Sequence, residues 1–479
     1  MIDWSAQVTQ IAAILLRIVY FSLIVGTIII VILDNRNPVK TIAWILALMF
    51  IPPVGLLFYY FFGQSIRRER LISKKTYKRL WKKPIAAYHA QTPPELPETY
   101  RPLIQFFRQT NQSPPFQATE IKIYTDGYTK TQALIKELKK ARHHIHLQYY
   151  IFSNDAVGHI IKDTLIEKAR EGVLVRVIYD DVGSWNIPHI FYQDMRDAGI
   201  EVRSFLKVRF PLFTGKVNHR NHRKIVIIDG KTGFIGGMNI AERYLKGLPW
   251  GNWRDTHILL RGKAVYGLQT AFLQDWYFVD QSLITSTPYF PPISEAGIIL
   301  TQIVTSDPVG PWKEIMQGLS IAITTARKYI YIQTPYFLPS ETILIALQSA
   351  ALAGIDVRLM IPERTDNRIT QWGSRSYLKD ILHAGVKIYL YKKGFLHSKI
   401  MVADDMLSTV GSTNIDSRSF EHNFEVNAFI YNRETALRLR EIFLQDQRES
   451  VQITLKRWKI RPLHQKAIES LVRLLAPFL

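Results

Sequence analysis

One pattern occurs twice in this chain at a constant offset of 175 residues. The first copy reads His222-Arg-Lys224, Ile225 to Ile228, Asp229, then Gly236-Gly237-Met238-Asn239. The second reads His397-Ser-Lys399, Ile400 to Ala403, Asp404, then Gly411-Ser412-Thr413-Asn414. The likeness extends upstream. HIHLQYYIF (144–152) matches YIYIQTPYF (329–337), which aligns Gln148 with Gln333. AREGVLVRVIYD (169–180) matches ALAGIDVRLMIP (351–362), and DAGIEVRSF (197–205) matches HAGVKIYLY (383–391). Short apolar runs alternate with helical segments in each copy, which specifies α/β structure. Two such units in one chain are expected to pack about a pseudo-twofold axis and to share a site where they meet.

The motif itself carries chemistry. On a β-strand, residues i and i+2 face the same way, so each copy presents one imidazole and one ammonium to a common surface. The four residues that follow Lys are apolar in both copies, as a buried strand requires. Two histidines, two lysines and two asparagines together suit phosphodiester transfer. One imidazole attacks phosphorus; the other protonates the leaving alkoxide and then deprotonates the incoming alcohol. The lysines hold the phosphate oxygens and stabilise the transition state's charge, and the asparagine amides add hydrogen bonds. Imidazole serves in both protonation states because its unperturbed pKa is about 6.5. A metal centre is the competing use of such residues, but a lysine two residues from each histidine repels a cation. The site therefore calls for no metal and no cofactor. Asp229 and Asp404 lie an odd number of residues past the histidines and face away on an unbroken strand, which makes them structural.

A doubled H-x-K-x4-D followed by Gly-Gly or Gly-Ser and Asn is the signature of the phospholipase D superfamily, and the chain resembles it over essentially its whole length. With a membrane hairpin in front, it looks like the bacterial cardiolipin synthases of that superfamily. The resemblance implies that His222 forms a phosphohistidine and that His397 is the general acid/base, although the sequence leaves the two roles interchangeable. It implies Lys224, Lys399, Asn239 and Asn414 as phosphate ligands, with Ser412 adding a hydroxyl to substrate where the first copy has Gly237. It also implies one carboxylate orienting each histidine. Asp255 and Glu425 are the candidates, since each opens an apolar strand after its own Asn. Asp255 follows His222 by 33 residues and Glu425 follows His397 by 28, and Glu421 is a rival to Glu425.

The first third of the chain differs in character. Residues 11–33 read IAAILLRIVYFSLIVGTIIIVIL, with Arg17 the one charge. At about 1.5 Å per residue this run reaches roughly 34 Å, enough for a hydrocarbon core of about 30 Å. After a polar turn, residues 41–62 form a second uncharged run that Pro52-Pro53 should kink or make re-entrant. Trp44, Tyr59 and Tyr60 suit the interfacial zones. A cleaved signal peptide would have a shorter apolar run and a basic start, whereas this chain opens Met1-Ile2-Asp3-Trp4. Nine basic residues between 67 and 83 follow, against Glu69 alone. By the positive-inside rule they place everything after the hairpin in the cytoplasm of a multi-pass protein of the cell membrane.

The expected organisation is a hairpin over 1–66, a basic segment and Pro-rich linker over 67–118, and α/β units over 119–293 and 294–479. The second unit ends in a basic, apolar tail that suits either a membrane surface or a packing helix. Lysine and arginine number 61 against 40 aspartates and glutamates, a net charge of +21, which favours polyanionic partners. The chain has no cysteine, which excludes disulfides, thiolate zinc sites and cysteine nucleophiles. The hairpin, the apolar-basic stretch at 206–216 and the tail favour the bilayer and anionic lipid over nucleic acid. The resemblance then implies that one phosphatidylglycerol donates its phosphatidyl group to another, giving cardiolipin and glycerol. A lipid hydrolase or head-group exchange enzyme uses the same site, and a membrane-tethered nuclease is the reading from another class. The sequence carries no information on oligomeric state.

Overall fold

A computed structural model describes residues 4–33, 38–59, 95–208, 218–294 and 297–476, with isolated positions between 63 and 86. It divides into two compact units, one containing the N-terminal helices and one spanning 69–207 and 219–479.

In the first unit a helix runs over Trp4–Leu33. Among the described residues it contains the one segment long and apolar enough to cross a membrane, Val8–Leu33. The expected second span is not continuous. It forms a helix over Pro38–Phe50 and a short one over Pro52–Phe58, interrupted at Ile51. Pro52 and Pro53 have no N–H to continue the first helix, yet their fixed φ suits the opening turn of the next. Trp44 and Tyr59 meet edge to face at 5.4 Å beside Val31 and Leu48. Tyr60, most of the basic run at 67–83 and most of the 206–216 stretch lie outside the described residues.

The second unit is a mixed sheet covered by helices on both faces. Its first repeat supplies β1 (Phe116–Tyr124), β2 (His144–Tyr149), β3 (Leu174–Asp180), β4 (Glu201–Phe205), β5 (Arg220–Asn221), β6 (Ile225–Ile228), β7 (Thr232–Gly236), β8 (Asn252–Arg254) and β9 (His257–Gly262). The second supplies β10 (Ile299–Ser306), β11 (Tyr329–Gln333), β12 (Asp356–Pro362), β13 (Lys387–Tyr391), β14 (Gly394–Leu396), β15 (Ile400–Ala403), β16 (Leu407–Gly411), β17 (Asn423–Tyr431) and β18 (Ser450–Ile453). From β1 outward the first repeat is ordered β1-β9-β7-β6-β2-β3-β4. From β10 outward the second is β10-β17-β16-β15-β11-β12-β13, the same order, with β18 added at the edge. The two arrays join through antiparallel β1 and β10, Phe116 opposite Thr301 and Ala118 opposite Ile299. The halves thus form one sheet with a local twofold between them, and both lie in a single compact unit.

The motif strands β6 and β15 are buried along their whole length. Each fully buried Ile or Val contributes roughly 1.5–3 kcal/mol, which holds these strands central in the sheet. One core lies on the face covered by the helices Val265–Asp280 and Arg433–Arg448, and takes residues from both repeats, among them Ile225, Trp276, Val402 and Phe443. The opposite face carries a separate core for each repeat. The C-terminal tail is a packing helix here: Leu463–Arg473 lies against the helix Arg368–His383, with Arg473 paired to Asp380 at 2.9 Å and lying over the Tyr377 ring.

Candidate active site

The motif aspartates sit at the far ends of β6 and β15 from the histidines. Asp229 accepts hydrogen bonds from the N–H groups of Arg142, His143 and His144 at 2.8–2.9 Å. Asp404 does the same for Arg327, Lys328 and Tyr329 at 2.7–3.0 Å. Each fastens the turn that feeds the neighbouring strand.

At the near ends the two repeats exchange partners. The short strand β5, just before His222, runs parallel to β17 of the second repeat. Likewise β14, just before His397, runs parallel to β8 of the first. The His222 N–H donates to the Phe424 carbonyl at 2.9 Å and the His397 N–H to the Arg254 carbonyl at 2.7 Å. Each histidine therefore lies beside the other repeat's carboxylate. Nδ1 of His222 is 3.0 and 3.1 Å from the two oxygens of Glu425, and Nδ1 of His397 is 2.7 Å from Asp255. The expectation of a carboxylate within each repeat is corrected: Glu425 orients His222 and Asp255 orients His397. The two carboxylates are equivalent, each two residues before the residue that pairs with the motif glycine, Gly236 opposite His257 and Gly411 opposite Asn427. The spacings of 33 and 28 differ because the first repeat has five more residues between its Asn and its carboxylate, including the turn closed by Leu248 and Gly251. Glu421, the rival, lies in the short helix Ser417–Glu421.

A carboxylate on Nδ1 selects the tautomer with its proton there, which leaves Nε2 as the reactive nitrogen. Burial, followed by the charge of Lys399, pushes the His397 imidazole down to about 3. Burial likewise lowers His222, opposed by Glu425 and reinforced by Lys224. Both shifts favour the neutral imidazole, and an anionic phosphate beside the rings would favour the protonated form. Glu425 and Asp255 are themselves fully buried. Burial raises their pKa, but His222 and Lys224 around the first, and Lys399 and His397 around the second, hold both below the ordinary carboxylate value. Burial lowers Lys224 to about 7 and Lys399 to about 8, only partly countered by Glu425 and Asp255. A phosphate between them would restore their charge, because a nearby anion favours the ammonium form. Each lysine acts electrostatically on the other repeat's histidine as well as its own, so the four groups form one site.

Ser412 departs from expectation, and the two asparagines have partners within the protein. Ser412 does not present its hydroxyl to substrate: it donates to Glu425 and accepts from the Val426 N–H. Its counterpart Gly237 has no such role, because a Cβ there would stand 2.1 Å from an oxygen of Asp255. Asn239 accepts from the Ile151 N–H and donates to the Tyr244 hydroxyl, while Asn414 donates to Asp416 at 2.9 Å. Each amide nitrogen so engaged has one hydrogen left for a ligand.

Sequence reasoning missed the layer behind the histidines. Gln148 and Asn221 donate to Asp275, which Arg223 also binds at 2.6 Å while giving another hydrogen bond to the Glu425 carbonyl. In the second repeat Gln333 binds Asp446, which also takes Arg254 from the first. The alignment of Gln148 with Gln333 was the visible signal; their acidic partners lie on helices without a motif. His219, noted for its closeness to the motif, contacts the His422 carbonyl at 3.1 Å. Among the described residues no three His, Asp or Glu side chains converge as a metal site would need.

Comparison with known proteins places this geometry. Residues 134–276 and 319–447 match the family described as "Cardiolipin synthase, PLD-like domain", and residues 22–64 match "Phospholipase_D-nuclease N-terminal". A cardiolipin synthase of Geobacillus sp. (strain WCH70) is 43% identical over 455 residues, covering 93% of this chain and 90% of the relative. The major cardiolipin synthase of Bacillus subtilis (strain 168) is 39% identical over 481 residues, covering 98% and 100%. Among solved structures, the phosphatidylserine synthase of Haemophilus influenzae superposes with a TM-score of 0.63 at 15% identity, covering 79% of this chain and all of that one. At that identity the superposition speaks for the fold.

Proposed function

The chain belongs to the cardiolipin synthase family of phospholipase D-like phosphatidyltransferases, and from this we propose that it joins two phosphatidylglycerols into cardiolipin with release of glycerol. The observation that carries the reading is the crossed pair of dyads, His222 on Glu425 and His397 on Asp255, with Lys224 and Lys399 both acting electrostatically on each histidine. In the first step Nε2 of His222 forms a bond to phosphorus, the bond from phosphorus to the glycerol oxygen breaks, and His397, which enters this step as the imidazolium stabilised by Asp255 and the bound phosphate, gives that oxygen its Nε2 proton. In the second, a hydroxyl of the acceptor phosphatidylglycerol gives a proton to His397 and attacks phosphorus, and the bond to His222 breaks. The lysines neutralise the phosphoryl oxygens in both steps, which is the role a metal would otherwise fill. On this reading residues 119–293 and 294–479 are the two catalytic repeats, behind the linker 67–118.

The test is direct. Purified protein given labelled phosphatidylglycerol in excess chelator should yield cardiolipin and one glycerol per cardiolipin. Phosphatidic acid as the main product would instead make it a hydrolase. Loss of turnover in chelator, restored by one divalent ion, would overturn the metal-free chemistry.

Residues 1–66 are read as the membrane anchor, with both apolar segments in the bilayer and everything from residue 67 in the cytoplasm. The segment Val8–Leu33 and the basic residues after 66 support this reading. Basic residues near an anionic leaflet gain about 1 kcal/mol each. A cysteine placed at position 75 should resist an impermeant thiol reagent in intact cells and react once they are permeabilised. Labelling in intact cells would reverse the topology.

A further inference from the structure

The two sides of the site are related by the repeat yet differ in chemistry. On the His397 side the flanking strands β14 and β8 bring in Phe395 and Trp253, whose rings lie 5.4 and 5.2 Å from the imidazole. At the corresponding positions on the His222 side, β5 and β17 carry Arg220, paired with Asp180, and Asn423, which donates to Glu425. The flanking strands are thus aromatic beside His397 and polar beside His222, whose ring neighbour is Tyr150 at 5.0 Å.

Two exposed arginines top the aromatic flank of His397. Arg243 lies over the Trp253 ring, with its guanidinium carbon 5.5 Å from the centroid. Arg364 lies over Trp250 at 4.9 Å, and Trp250 meets Phe395 edge to face at 6.3 Å. Stacking on indole fixes a guanidinium's plane while leaving its N–H edge open to an anion. Arg243 is thus one aromatic ring removed from the His397 imidazole and Arg364 two.

In a two-step transfer the acceptor enters where the leaving group departed. If His222 holds the phosphatidyl group, glycerol leaves and the acceptor arrives on the His397 side. An acceptor phosphatidylglycerol brings its own phosphate, three carbons from the attacking hydroxyl. That phosphate must lie outside the Lys224–Lys399 pair, which is occupied by the phosphorus under attack. We infer that Arg243 and Arg364 bind the phosphate of the acceptor lipid, with its glycerol carbons lying on Trp253 and Phe395. The subsite rests on the transferase reading above and gives it a specificity: an anionic glycerol head group is preferred to a neutral alcohol.

The test compares acceptors in the full-length protein, with phosphatidylglycerol as donor throughout. Wild-type protein should make cardiolipin alone and phosphatidylbutanol when butanol is added. In R243Q/R364Q, cardiolipin formation should fall about tenfold or more, as expected for lost hydrogen bonds to a charged group. Phosphatidylbutanol formation should be unchanged, which also shows that the variant is folded. Transfer to soluble glycerol phosphate should fall as cardiolipin does, and transfer to glycerol should not. Equal loss with butanol, or no loss of cardiolipin, overturns the subsite. Loss with the lipid acceptor but not with glycerol phosphate also overturns it, since the arginines would then hold the bilayer surface. A wild-type protein that makes phosphatidylbutanol but no cardiolipin removes the parent reading, and the subsite with it.

Discussion

Given a phosphatidyl donor with an activated leaving group, such as a nitrophenyl ester, protein carrying His397→Ala will accumulate an acid-labile phosphorus–nitrogen adduct on His222. His222→Ala will accumulate none. The asymmetry follows from the two jobs in the mechanism. Nitrophenolate departs without a proton, so losing the acid costs little in the first step. The second step still needs a base to deprotonate the acceptor, so the intermediate persists. With the natural donor both steps suffer. General acid/base assistance is worth about 10²- to 10⁴-fold in each, and the activated donor should recover most of the first-step loss in the His397 variant alone. Mass spectrometry of peptides kept at neutral pH would locate the adduct. An adduct on His397 in the His222 variant would exchange the two roles, and turnover by both single variants would end the shared-site mechanism.

The crossed dyads lead to an equally large effect that separates the carboxylates. Glu425→Gln should impair formation of the adduct on His222 with either donor. A neutral amide no longer selects the Nδ1–H tautomer or stabilises the ring as it gains charge. In the serine protease triad the corresponding Asp-to-Asn change costs about 10⁴ in turnover, and losses of about 10²- to 10⁴-fold are expected here. Asp255→Asn should instead behave like a mild form of His397→Ala: slow with phosphatidylglycerol, substantially rescued in the first step by the activated donor. Single-turnover rates of adduct formation measure both. Double-mutant cycles provide the complementary reading. His222 and Glu425 should be strongly non-additive, and so should His397 and Asp255, because removing one member leaves the other without its function. The pairs His222 with Asp255 and His397 with Glu425 should couple more weakly. Rescue of Glu425→Gln by the activated donor, in place of Asp255→Asn, would refute the crossing as a working arrangement.

Much of the site was readable because four apolar residues after each Lys declare a buried strand, β6 or β15, although His222–Lys224 and His397–Lys399 themselves lie in the links that lead into those strands and not on them. The constant 175-residue offset made the same statement twice. The odd spacing of Asp229 and Asp404 likewise placed them away from the site, and their carboxylates fasten the starts of β2 and β11. The break at Pro52-Pro53 follows from the missing N–H of proline, which acts wherever the residue stands.

What was not readable depends on neighbours distant in sequence. Aligning the repeats shows that Asp255 and Glu425 are equivalent, but not which histidine each one meets. That was decided when β5 settled beside β17 and β14 beside β8, each crossing into the other repeat. Ser412 is a good phosphate ligand by composition and spends its hydroxyl on Glu425, since a buried carboxylate needs donors. The substitutions of Phe395 for Arg220 and of Trp253 for Asn423 were present in the letters, but those pairings alone set the first of each beside His397 and the others beside Glu425 and Asp180.

By itself, then, the sequence determined the repeated α/β unit, the polarity of each motif strand and the inventory of imidazoles, ammoniums and amides, because these depend on local periodicity and on side-chain chemistry. The tertiary structure alone decided which carboxylate serves which histidine, and which histidine has aromatic flanking strands. Those are relations between segments far apart in the chain, 203 residues for His222 and Glu425 and 142 for His397 and Asp255. They arise from the joining of two half-sheets across β1 and β10, for which no short-range pattern codes.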